Sequence, residues 1–445
     1  MTEATVGIDI GTTSVKAIAA DGEGNVLARA RVPHQLLVPG PERMEHDATE
    51  AWRRGPRAAL DALDVDRAAV RGVSVAAMVP SLAAVDAAGD PISPGLLYGD
   101  ERGRTGSADN PAESGELVAF LRWLSREFPG AAGFWPAQAV ANCELGGEAV
   151  LDTATAATAF PLFDWTGWDA QLAAEVGARV EQLPRLVPTA LPAGRVDGDG
   201  PVLGPGCIDA LAEQLVAGAD DTGDVLVILG TTLIVWAVAD EHHTVDAPGL
   251  FTIPHTAKGK LLIGGPSNAG GLFLDWARRL LGPSDESGTI VLEPERVPVW
   301  APYLRGERVP FHDHTRRASA SGLDLTHDPT AVLRGAFEAS AFCARRMIEA
   351  SAVLPRRIVA TGGGVRVDRW VQALADATGL PVDCVAVPEG GALGSAWLAR
   401  LAAGLEDPMA MPEGRRWART GRRVEPDPAW KDAVAERYHR FLDTA

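Results

Sequence analysis

Val6-Gly7-Ile8-Asp9-Ile10-Gly11-Thr12-Thr13-Ser14-Val15-Lys16-Ala17-Ile18, almost at the amino terminus, decides the fold. Two apolar runs, Val6 to Ile10 and Val15 to Ala19, flank a tight turn of Gly, Thr and Ser, which is the pattern of a β-hairpin. The turn leaves N–H groups and hydroxyls for phosphate oxygens. Asp9, just before it, is placed to hold Mg²⁺ or its water, and Lys16 to reach a phosphoryl group. An ordinary hairpin carrying an Asp and a Lys would read the same from these residues alone.

A second copy sharpens the reading. Val225 to Asp240 repeats the pattern, and setting Gly11 on Gly230 brings Thr12 and Thr13 onto Thr231 and Thr232 without a gap. A repeated strand-turn-strand unit predicts two domains of common origin, each with a phosphate-binding turn. The second copy has Ile228 where the first has Asp9, and Val235 where the first has Lys16. One turn therefore carries the metal and charge chemistry, and the other contributes backbone and hydroxyl contacts.

A chain of 445 residues is too long for one ordinary core, and two domains of roughly 200 residues fit it. A net charge of −18 argues against nucleic acid and anionic membrane as partners, yet leaves room for a phosphate ligand in a local site. No apolar run is long enough to span a bilayer, and Met1-Thr2-Glu3 does not begin a secretory signal. The four cysteines, Cys143, Cys207, Cys343 and Cys384, are scattered and form no metal-ligand cluster, so a reducing cytoplasm is expected. Lys16 is one of only four lysines, beside Lys258, Lys260 and Lys431.

Further along, Asp21 to Asn25 reads as a turn and Val26 to Val32 as a third strand of a meander. Asp47-Ala48-Thr49-Glu50 has the form of a helix start, leading to about Leu63. Val70 to Met78 is a buried strand, and Leu82 to Ile92 a hairpin. Helical patterns recur near Gly115 to Phe128, Trp168 to Gly177, Ala269 to Leu281 and Thr330 to Ala350, with a strand, loop and helix from Ile358 to Gly379. The polar run Ala217 to Asp224 marks the boundary, dividing the chain into 1–222 and 223–445. Alternating strands and helices call for α/β layers with mixed sheets.

Two further stretches bear on chemistry. Asp209 opens an evident helix, where a carboxylate stays ionised and is able to take a proton from an attacking hydroxyl, although these residues by themselves read more readily as a helix cap. Thr361-Gly362-Gly363-Gly364 follows an apolar strand, and its glycines let a flat nucleoside approach the backbone. The stretch Trp300 to Phe311 reads as an ordered loop.

Taken together these pieces resemble the FGGY family of carbohydrate kinases, similar in architecture to actin, hexokinase and the Hsp70 ATPase domain. The matching segments are Gly7 to Lys16, Leu97-Tyr98-Gly99-Asp100-Glu101-Arg102, the Asp209 segment, Leu229 to Thr232, Pro302 to Pro310, Gly362 to Arg366, and Gly391 to Ala396. The resemblance implies two ribonuclease-H-like domains with mixed sheets flanking a central cleft, ATP with Mg²⁺ as donor, and a small sugar, sugar acid or polyol as acceptor. Pentulose-like acceptors lead, and a homodimer is compatible with it. Carried over, Asp209 is the catalytic base and Asp9 the acid on the metal and phosphate side. Gly11, Thr12, Thr13 and Lys16 form the first phosphate loop, and Gly230 and Thr231 the second. Gly362, Gly363 and Gly364 border adenosine, and Asp100 lies on the sugar side. A competing reading on the same fold is a nucleotide-binding switch without phosphotransfer.

One departure concerns the acceptor. Where glycerol kinases have an Arg-Glu pair and xylulose kinases a Met-His pair, this chain has Val79-Pro80, so two hydrogen-bonding positions are apolar. A site built to pair with hydroxyls discriminates sharply, and this change argues against glycerol and weakens xylulose. The segment Gly103 to Ala157 matches poorly.

Overall fold

The opening hairpin forms as its pattern predicts. In a computed structural model, which describes residues 3–104, 116–244, 246–282 and 292–444, β1 (Ala4–Ile10) pairs antiparallel with β2 (Ser14–Ala20), placing Asp9 opposite Lys16. β2 continues into β3 (Val26–Pro33), whose strict alternation of half-buried and exposed residues marks an outer strand with one face in water. On its other side β1 runs parallel to β4 (Val70–Ala77), and apart from the exposed Arg71 these central strands are buried on both faces, as parallel strands covered by helices must be. The short strands Val202–Leu203 and Cys207–Ile208 pair with the far side of β4, and Gly194–Arg195, antiparallel to Val202–Leu203, completes a seven-stranded mixed sheet.

The second unit repeats this order. β5 (Asp224–Leu229) pairs antiparallel with β6 (Leu233–Asp240), β6 with β7 (Lys260–Ser267), and β5 runs parallel to β8 (Arg357–Thr361) in a second seven-stranded sheet. The internal repeat is therefore one of topology. Its register is not identical, however. Asp9 faces Lys16 across the first turn, whereas Ile228 faces Ile234 and not Val235 across the second. The second turn is one residue tighter, so the residue structurally equivalent to Lys16 is Ile234. An ungapped alignment cannot register this, because the turn gives up one residue to the return strand with no letter missing from the chain.

The compact units are Met1–Val216 with Glu389–Trp417, and Ala217–Pro388 with Ala418–Ala445. A single cut at 222/223 misses the return of Glu389–Trp417 to the first unit. The reason is packing of the helix Gly390–Ala402, buried along almost its whole length, on β1. Its small residues let backbones meet: a Cβ on Gly7 would stand 1.8 Å from the Ala392 carbonyl oxygen, and one on Gly394 would stand 1.9 Å from that of Ala212.

The expected helices appear as Glu116–Glu127, Ala170–Glu175, Gly271–Leu281 and Pro329–Ala350; Gly115 lies outside the described residues. The segment after Asp47 opens with a wide π-type turn, Thr49–Arg54, before Gly55–Asp61, and the Asp47 carboxylate accepts from the Glu50 N–H at 3.0 Å. No described helix is long and apolar enough to cross a membrane.

Candidate active site

The candidate side chains of the first unit collect at the carboxyl edge of its parallel strands. Asp9 and Cys207 both align with Ala76 of β4, so Asp209 leaves the sheet at the level where β1 enters its turn. Two strand spacings, about 10 Å, separate β1 from the Cys207–Ile208 strand that leads into Asp209. The buried Cys207 thiol is pushed up by burial first and then by the charges of Asp152, Asp209 and Asp9.

Asp9 is buried, and Lys16 Nζ donates to its Oδ2 at 3.3 Å. The ammonium is held above its ordinary range, chiefly by Asp9 against the opposing cost of burial, with Glu213 and Glu389 adding to the rise. Glu213 lies one helical turn beyond Asp209 on Asp209–Ala217, on the same face of that helix. Glu213 and Glu389 were not singled out from the sequence; neither sits in a recognisable motif. Asp209 opens its helix and accepts from the Ala210 N–H at 2.7 Å.

The turn itself is held by protein donors. Gly11 N–H donates to the Ser14 carbonyl at 3.1 Å, and His34 N–H to that of Thr13 at 3.1 Å. Buried His46 Nε2 lies 2.9 Å from the Thr12 carbonyl, and Trp52 Nε1–H donates to His46 Nδ1 at 3.0 Å. The Thr12 hydroxyl meets the Tyr98 hydroxyl at 2.8 Å.

Asp100 was expected on the sugar side. It is completely buried, and both oxygens are engaged by protein donors: Oδ1 takes the Arg102 N–H and Nε, and Oδ2 takes the Met44 N–H and Arg102 Nη2. Arg102 also reaches Glu45. Asp100 thus organises the loop, and Tyr98 is the loop residue that meets the turn after β1. Val79, half-buried, follows β4 at the same carboxyl edge. Gln138, missed in the sequence because a lone Gln carries no pattern, donates to the Ala77 and Cys207 carbonyls at 3.2 and 3.3 Å. It stitches together the strand ends from which Val79 and Asp209 depart.

In the second unit, the carbonyls of Gly230 and Thr231 accept from Gly271 and Leu272 at 2.9 and 3.1 Å, tying the turn to the start of the helix Gly271–Leu281. The three glycines after β8 divide by cause. Gly362 has φ +85° and lies against the Leu229 backbone, while Gly364 packs on Trp370 and Leu229. Gly363 has no neighbour within 4 Å of a Cβ and no special φ. Nothing in its surroundings requires glycine, so the open space fits a ligand that lies against the backbone, as adenosine would. Gly363→Val is expected to leave stability within about 0.5 kcal/mol, since the position is exposed. Mg-ATP should bind about tenfold more weakly, measured by calorimetry.

Among the described residues no group of three or more His, Cys, Asp or Glu forms a ready metal site. A single carboxylate such as Asp9 suits Mg²⁺, which keeps several waters and binds through one or two carboxylates plus substrate phosphates.

Two buried groups give the first unit opposing pH dependences. Burial, followed by the nearby His34, pushes His46 down to about 4 from 6.5, so below pH 6.5 the unfolded chain gains a proton that the folded chain refuses. That stability is complete above pH 6.5 and is lost as pH falls toward 4, by up to about 3 kcal/mol. Burial raises Asp152 to about 6 from 3.8, so its contribution is complete below pH 3.8 and is lost as pH rises through 6. The slopes offset each other between pH 4 and 6. Asp152→Asn is expected to uncover the His46 slope, seen as a steeper fall of Tm between pH 6.5 and 4.5 than in the unchanged chain.

Comparison with known proteins bears directly on this arrangement. Residues 4–199 match the FGGY family of carbohydrate kinases, N-terminal domain, and residues 225–403 match its C-terminal domain. A xylulose kinase from Klebsiella pneumoniae is 26% identical over 92% of this chain and 94% of that protein. A gluconokinase from Bacillus subtilis is 26% identical over 84% of this chain and 83% of that protein. The crystal structure of xylulose kinase from Rhodospirillum rubrum superposes with a TM-score of 0.74 at 26% identity, covering 99% of this chain and 98% of that one.

Proposed function

Because the chain belongs to the FGGY family of carbohydrate kinases and is an ATP-dependent phosphotransferase, we propose that it phosphorylates a hydroxyl of a pentulose-like sugar, sugar acid or polyol, with Asp209 as the general base. The observation that carries this reading is the register that brings Asp9, with Lys16 bonded to it, and the start of the Asp209 helix to one carboxyl edge, Asp9 and Cys207 both standing opposite Ala76. Phosphoryl transfer passes through a loose transition state, so the protein's task is to align acceptor, phosphorus and leaving oxygen and to neutralise charge.

The assignments follow from chemistry. Mg-ATP, when bound, supplies the phosphoryl group and much of the charge neutralisation. Asp9 would take the Mg²⁺ side. Lys16, kept protonated by Asp9, Glu213 and Glu389, would offer its ammonium to a phosphoryl oxygen. Gly11, Thr12 and Thr13 would cradle the phosphates, Gly230 and Thr231 would contribute a second set of backbone and hydroxyl contacts, and Gly362, Gly363 and Gly364 would border adenosine. Asp209 would accept the hydroxyl proton late in the transfer.

Val79 and Pro80 offer no hydrogen bond from their side chains, which disfavours glycerol and suits an acceptor that presents carbon on that side. Four unpaired cysteines agree with a cytoplasmic setting. The test is ADP formation from Mg-ATP across ketopentoses, ketotetroses, polyols and sugar acids. Turnover with one acceptor, lost in Asp209→Asn, supports the reading; turnover with none of these acceptors overturns the acceptor class.

A further inference from the structure

The peptide between Thr12 and Thr13 is held by a chain of buried groups that phosphate binding alone does not require. Trp52 Nε1–H is a donor only, so His46 Nδ1 must accept from it at 3.0 Å. The imidazole proton therefore sits on Nε2 and is donated to the Thr12 carbonyl at 2.9 Å. In a trans peptide the C=O and the following N–H point in opposite directions. With the Thr12 carbonyl fixed on His46, the Thr13 N–H is turned away from His46 and the core behind it. The Thr12 side chain is fixed separately, its hydroxyl 2.8 Å from that of Tyr98. His46 and Trp52 are completely buried and Thr12 and Tyr98 nearly so, so water does not compete for these bonds.

We propose that His46, Trp52 and Tyr98 are positioning residues for phosphoryl transfer, fixing the Thr12–Thr13 peptide so that the Thr13 N–H faces a donor phosphate. The proposal rests on the assignment of Gly11 to Thr13 as the first phosphate loop. It assigns His46 a neutral Nε2–H tautomer with a defined task, and it explains why Trp52 lies on a widened helical turn that brings its indole to His46. It also links the Leu97 to Arg102 loop to the phosphate turn through one pair of hydroxyls. A loop set in advance loses no binding energy to reorganisation when charge shifts in the transition state.

The experiment uses the full chain and three variants. Tyr98→Phe removes one hydroxyl and keeps the ring; kcat is expected to fall about tenfold while the Mg-ATP dissociation constant moves less than about threefold. His46→Gln places an amide N–H where Nε2–H stood and should recover most of the activity that His46→Leu loses. Independently of turnover, ¹⁵N–¹H NMR of the unchanged chain should show His46 as the Nε2–H tautomer at pH 7. The Thr13 amide resonance should move on addition of Mg-ADP, and should move much less in Tyr98→Phe. Tyr98→Phe with kcat within twofold of the unchanged chain, an Nδ1–H tautomer, or a Thr13 amide indifferent to Mg-ADP would each overturn the proposal. Failure to find a sugar acceptor would count against the proposed acceptor class only, because the NMR readouts need no acceptor.

Discussion

Asp209→Asn is expected to lower kcat by about 10²–10⁴-fold, the range over which a positioned general base contributes, while Mg-ATP binding stays within about twofold. The substitution keeps what the fold asks of the residue. Asp209 opens the helix Asp209–Ala217 and its Oδ1 accepts from the Ala210 N–H, a bond that Asn Oδ1 also makes. What Asn cannot do is take a proton. Calorimetric titration with Mg-ATP, set beside steady-state rates with the acceptor found by the panel, separates the two demands. A variant that binds ATP and still turns over at more than about a tenth of the original rate would remove Asp209 from the role of base. A variant that loses ATP binding as well would assign Asp209 to the donor side.

How legible this site was in the sequence depends on the range of the interaction that makes each part. The hairpin at Gly11 was legible because its strands are consecutive and its polar residues sit in the turn. The partnership of Asp9 with Lys16 follows from a register that a four-residue turn sets locally. The second turn shows the limit: its glycine and threonines align without a gap, yet its register is one residue shorter, so Ile234 stands where Val235 was expected. Gly362, Gly363 and Gly364 look alike in sequence, and only their neighbours separate the two that the fold requires from the one it does not. His46 went unnoticed because its partner, Thr12, lies 34 residues earlier, and Trp52 because it reaches the turn only through His46. Asp100 stood within a family segment, but its full set of protein donors depends on Met44 and Arg102, which no spacing rule connects to it. The departure of Glu389–Trp417 from its sequence neighbours was equally hidden, since a helix of small residues reveals its partner only when packed.

That helix carries the second large expected effect. Gly7→Ala is expected to destabilise the first unit by more than about 4 kcal/mol, a large share of the roughly 5–15 kcal/mol that holds a typical domain together. The backbone at Gly7 lies in an ordinary strand conformation that any residue adopts, so the cost is one of space. A Cβ there would sit 1.8 Å from the Ala392 carbonyl oxygen, 2.3 Å from the Ala396 nitrogen and 2.8 Å from the Ser395 carbonyl carbon. These are backbone atoms inside a helix and cannot swing aside as the end of a flexible side chain would. The helix cannot retreat as a whole without loss, because the same element meets Ala212 of the Asp209 helix at Gly394. Gly391 lies over the Asp9 carboxylate, a Cβ there falling 3.0 Å from Cγ, so displacement at Gly7 also disturbs the acid proposed for the phosphate side. Urea unfolding followed by hydrogen exchange should place the loss in β1 and the Gly390–Ala402 helix, with Gly40→Ala, which has open space around it, as control. A Gly7→Ala protein less than about 1 kcal/mol weaker than the original would mean that this contact relaxes freely, and the close seating of the helix on β1 would no longer account for the glycine.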